Sequence, residues 1–92
     1  MRKIFKYQIR VEDEATLCVP GDFVLIHIGE QHGAIVAWCV VEVDDAGLAS
    51  IRSVDRGLCI RGTGQPFKGN EGKHISTVQM SNGLVWHIFW RL

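Results

Sequence analysis

Turn-forming residues cut the chain into short apolar runs, and none of these runs has a helical period. Near the N-terminus Phe5, Tyr7, Ile9 and Val11 alternate with Lys6, Gln8 and Arg10. Successive side chains of a strand point to opposite faces, so this period of two describes a strand with one buried and one wet face. Ala15 to Val19 is a second short run. Pro20-Gly21 stops it, because proline cannot donate to a ladder and the pair favours a turn. Phe23 to Ile28 and Ala34 to Val43 flank Glu30-Gln31-His32-Gly33, which predicts a hairpin. The second arm, AIVAWCVVEV, is apolar at almost every position. It predicts a central strand covered on both faces, or covered on one face by a partner chain. Asp44-Asp45-Ala46-Gly47 is the next turn, and Leu48 to Val54 is a weaker strand or an ordered loop. Leu58 to Arg61 is a short strand leading into a glycine-rich loop. His74 to Met80 and Leu84 to Trp90 make the clearest hairpin, around Ser81-Asn82-Gly83. With no repeat and no capped amphipathic segment, the expected fold is all-β. It is a small antiparallel barrel or sandwich of about seven to eight short strands.

Ninety-two residues suffice for one domain, residues 1–92. A chain of this length buries only about 60–65% of its unfolded surface, so the core is modest. The hydrophobic fraction of 47% excludes the composition of a disordered chain. A small core beside three Trp and four Phe predicts a homo-oligomer, whose interface supplies further buried area. Ten basic and ten acidic residues cancel, which removes the electrostatic footprint of a duplex nucleic-acid binder. A small anionic ligand in a local pocket remains compatible with that balance. Cys18, Cys39 and Cys59 form no CxxC and lie in apolar runs. They are expected to be reduced, embedded thiols in a cytoplasmic compartment, with no zinc. The opening MRKIFKYQIR has no apolar segment of the signal-peptide kind, and Ala34 to Val41 is too short to span a membrane as a helix.

The segment richest in chemistry is Arg61-Gly62-Thr63-Gly64-Gln65-Pro66, continuing to Lys73. Glycines let backbone N–H groups approach a ligand, and successive turns can form an anion-binding nest. In a ligand loop Arg61 would pair with phosphate, Gly62 and Gly64 would set the backbone path, and Thr63 and Gln65 would add a hydroxyl and an amide. The same glycines also suit a long, tight turn with no ligand. The loop is neither a P-loop nor a dinucleotide fingerprint, since no GK[ST] and no following helix are present. Trp86, Ile88 and Trp90 share one strand face, and Val85, His87 and Phe89 share the other. Trp86 is the candidate for stacking on a base; core and interface packing is its other use. His27, His32, His74 and His87 have no metal-ligand spacing, and no nucleophile–base pair or carboxylate pair is spaced for catalysis. No enzyme activity, cofactor or metal is expected.

Three segments taken together resemble a family of small proteins carried by phages and prophages, usually with a GTG-x-P loop after an apolar strand. They are Lys3-Ile4-Phe5-Lys6-Tyr7, then Ile60-Arg61-Gly62-Thr63-Gly64-Gln65-Pro66, and then His74 to Met80 with Leu84 to Phe89. The stretch Leu48 to Arg56 is longer and more basic than that pattern implies. The resemblance implies a tool of host takeover in the host cytoplasm. Its first form is an anti-CBASS sponge that holds a cyclic oligonucleotide signal without cleaving it, in pockets between subunits. An inhibitor that binds a host defence effector, as anti-CRISPR proteins do, and an accessory protein with no ligand are the other forms.

Overall fold

The apolar alternation and the turn residues generate seven strands in the computed structural model, which describes residues 1–50 and 52–92. In chain order they are β1 (Arg2–Ile9), β2 (Glu14–Pro20), β3 (Val24–Gln31), β4 (Ala34–Glu42), β5 (Ser53–Gly62), β6 (Glu71–Gln79) and β7 (Val85–Arg91). They form a three-stranded sheet, ordered β1-β4-β3, and a four-stranded sheet, ordered β2-β5-β7-β6. Every ladder is antiparallel. The fold is thus the expected all-β class. Of the two expected forms it is sandwich-like, because the sheets do not close on each other.

Period-two alternation builds the core between the sheets. Ile9, Ile28, Ile35, Ala37, Cys39 and Val41 come from the first sheet, and Ala15, Leu17, Val19, Leu58, Ile60 and Ile88 from the second. The β3–β4 hairpin turns through His32 and Gly33 with φ of 52° and 80°. Positive φ at both central residues matches the right-handed twist of the flanking strands, and glycine takes it without strain. On one flank Ser76 Oγ on β6 donates to Ile28 O on β3 at 3.0 Å, stitching the two sheets. On the other flank β1 and β2 run past each other as unpaired edges.

Several boundaries differ from those expected. Val11 lies beyond β1 and is exposed, because β4 has no residue left to pair with it after Ile9↔Ile35. β5 begins at Ser53, well before Leu58. Its polar first half is held by pairing with β2, and its apolar second half by β7. In the Leu48–Val54 stretch Ala49 bridges to Val43, Ser53 and Val54 open β5, and Ile51 lies outside the described residues. β4 is central, and its inner face lies in the core. On its outer face Trp38 is half-buried beside His27, ring centroids 5.6 Å apart. Cys39 and Cys59 are buried as expected, and burial raises the Cys39 thiol pKa. Cys18 is instead exposed, since Leu17 and Val19 on either side of it turn inward.

Candidate functional site

Beyond Gly62 the chain turns sharply, with Gln65 N–H donating to Gly62 O at 3.0 Å. Gly64 sits at the third position of this turn with φ of 94°, where a side chain would be strained. The loop then folds back over the outer face of the four-stranded sheet. There Phe67 meets Phe89 edge-on at 5.2 Å, and Phe89 meets His74 at 5.3 Å.

The fold-back covers Arg61. Leu58 and Ile60 point to the core, so Cys59 and Arg61 point outward, yet Arg61 is only 2% exposed. Its Nε donates to Glu71 Oε2 at 2.8 Å, and the same carboxylate accepts the backbone N–H groups of Lys68 and Gly69. The remaining guanidinium nitrogens donate to Asp13 O at 2.6 Å, Ile60 O at 3.1 Å and Asn70 Oδ1 at 3.1 Å. Burial raises the Glu71 carboxyl pKa. The three converging backbone donors and the Arg61 guanidinium outweigh it and hold the value at about 2. Outside this cluster Lys68 Nζ donates to Asp13 Oδ2 at 2.9 Å and lowers the pKa of that carboxyl.

The residues expected around a ligand are therefore distributed over different places. Arg61 is a buried clasp between β5, the loop and the β1–β2 turn, not a surface partner for phosphate. Gln65 uses its amide oxygen to accept the Gly62 N–H at 2.6 Å. Trp86 faces inward from β7 onto the core. Gln65 and Trp86 share a cleft of about 130 Å³ with Glu12, Asp13 and Ile60. That volume holds a few waters, at roughly 30 Å³ each, and not a nucleotide. Thr63, like Gly64 and Gln65, is exposed, and it stands on the outer face of the sheet. Its Oγ1 is 2.8 Å from His87 Nε2, His87 Nδ1 is 3.1 Å from Thr77 Oγ1, and Thr77 Oγ1 is 3.0 Å from His74 Nε2. A neutral imidazole has one donor and one acceptor, and a hydroxyl has both, so the row can be satisfied with its protons running in either direction.

His74, Thr77, His87 and Phe67 are not singled out as a group by residue spacing. A cue for two of them is present all the same: once Ser81-Asn82-Gly83 is read as the turn, Thr77 falls opposite His87.

The profile of a domain of unknown function, DUF7352, matches residues 1–92. The chain belongs to the DUF7352 family. No curated protein and no solved structure matches it. In this DUF7352 chain a groove of about 490 Å³ lies apart from the glycine-rich loop, along the unpaired β1–β2 flank, with Lys6, Tyr7 and Arg10 on one side and Thr16 and Cys18 on the other. Among the described residues of the DUF7352 chain, no three His, Cys, Asp or Glu residues are placed to hold a metal. Among the described residues no helix is long and apolar enough to cross a membrane.

Proposed function

We propose that this DUF7352 chain is a non-catalytic binding protein that sequesters a nucleotide-type anion on the outer face of β6 and β7. The ligand class is the cyclic oligonucleotide signal, and the setting is phage evasion of host immunity. The surface row Thr63–His87–Thr77–His74 beside an exposed aromatic ring carries this reading. Phe67 is 66% exposed and pinned edge-on by Phe89, so its free surface is a fixed platform for a base. The hydroxyls and imidazoles offer donors and acceptors to phosphate and sugar. Lys68 and Lys73, next in sequence to Phe67 and His74, are exposed cations. The phage setting rests on the sequence resemblance alone. His87 has hydroxyls at both ring nitrogens, so no carboxylate holds it as the base of a hydrolytic triad.

Titration calorimetry with cyclic di- and trinucleotides, paired with thermal shift, tests this. Base–aromatic stacking is worth about 1–3 kcal/mol. Phe67→Ala should therefore weaken binding by roughly ten- to hundredfold. Thr63→Val should weaken it less, and neither should lower Tm by more than a few degrees. If no cyclic nucleotide binds the wild type, the reading fails and a protein-binding inhibitor takes its place.

A further inference from the structure

The ladder hydrogen bonds determine which backbone groups of β2 are free. Ile60 N–H donates to Asp13 O, and Gly21 N–H donates to Arg52 O. In an antiparallel ladder, bonded and non-bonded pairs alternate. Residues 13, 15, 17, 19 and 21 therefore face β5, while Glu14, Thr16 and Cys18 direct N–H and C=O away from the sheet. Pro20 adds a carbonyl but no N–H.

Four strands lie at sheet edges, and three of them carry protection against pairing. β1 bears Arg2, Lys3 and Lys6. β3 is interrupted by a bulge between Leu25 and His27, and β6 by shifts between Glu71 and His74 and between His74 and Ser76. On β2 such devices stand only at the two ends, as Glu14 and Pro20. Its register with β5 is unbroken, and Ala15 to Val19 contains no charge. A regular, uncharged edge is a template for another strand.

We propose that β2 is the edge through which two copies of this chain join, antiparallel about a twofold axis at Leu17, into one continuous eight-stranded sheet. The free groups suit a second copy because they are symmetric about that residue. Thr16 of each chain falls opposite Cys18 of the partner subunit, and each such pair exchanges both of its backbone bonds. The outward side chains at the seam, Thr16 and Cys18, are small and exposed, so the strands can approach closely. A net charge of zero leaves no overall repulsion between copies.

Light scattering, together with amide exchange on the full-length chain, tests this. The wild type should show twice the 10.3 kDa chain mass at micromolar concentration, and the Thr16 and Cys18 amides should exchange more slowly as concentration rises. Thr16→Pro removes a free edge N–H without breaking a β2–β5 bond, and Cys18→Lys places a cation at the seam. Each should raise the dimer dissociation constant at least tenfold, whereas Ile4→Pro, at a free position of β1 outside the β1–β2 groove, should leave it unchanged. A wild type that stays monomeric, a dimer indifferent to both β2 variants, or Thr16 and Cys18 exchange that ignores concentration would each overturn the proposal. The wild-type exchange result decides even if a variant fails to fold. Nucleotide binding is read separately, so this proposal and the proposed function fail independently.

Discussion

Arg61 is the residue whose surroundings most alter its expected role. A surface arginine would be dispensable for folding, but this one satisfies Asp13 O, Asn70 Oδ1 and Glu71 at once. Arg61→Ala takes the charged partner from Glu71 and the donor from Asn70 Oδ1, while Asp13 O keeps the Ile60 N–H and Glu71 its backbone donors; losing hydrogen bonds to a charged group costs about 1.5–3 kcal/mol. Tm should fall by about 10 °C or more in differential scanning calorimetry. Loss of ligand affinity without loss of Tm would show that the clasp carries little stability. Glu71 makes the same cluster sensitive to acid. Its pKa is lowered from 4.5 to about 2 on folding, so the unfolded chain binds the proton more readily. The stability it supplies is complete above pH about 4.5 and is lost as pH falls towards 2. Tm measured from pH 5 to pH 2 should drop through this window, and Glu71→Gln should flatten that part of the curve. An identical slope in the variant would assign the acid sensitivity to other carboxylates.

The glycine-rich loop behaves as a strap, and its turn depends on local geometry more than on any ligand. Gly64 has φ of 94° with open space around it, so a side chain meets backbone strain and no clash. Gly64→Val should cost roughly 1–2 kcal/mol, and Gly64→Asn should recover most of that because asparagine tolerates the left-handed region. Chemical denaturation of both variants checks the order, and equal stability would place the strain elsewhere. The strands and hairpins were legible because turn residues and alternation are local: His32-Gly33, Ser81-Asn82-Gly83 and the AIVAWCVVEV strand stand close to where they were expected. The first half of β5 was not legible. Ser53, Asp55 and Arg56 show no apolar pattern, and only pairing with β2, some forty residues earlier, makes them a strand. The candidate site was legible only in part for a similar reason. Alternation sends Arg61 outward, but nothing local reveals that residues 65–71 fold back over it and take it off the surface, where Thr63, Gly64 and Gln65 remain exposed.

Across the whole molecule the chain changes layer repeatedly: β1 lies in one sheet, β2 in the other, β3 and β4 in the first again, and β5 to β7 in the second. Two ladders, β1 with β4 and β2 with β5, join strands far apart in sequence. Such non-local pairing slows folding, because loop closure precedes the contacts that offset it. Stopped-flow refolding followed by tryptophan fluorescence should fall in the millisecond-to-second range, and completion within microseconds would contradict this topology as the limiting factor. The same layer changes matter while the protein is still being made. The three-stranded sheet can assemble once Glu42 has left the ribosome, but β2 waits for its neighbour β5, which is complete about twenty residues later. At about 5–20 residues per second that wait lasts on the order of one to four seconds. Throughout it β2 has two bare edges in place of one, so the nascent chain is most adhesive along a strand whose middle, Ala15 to Val19, carries no charge.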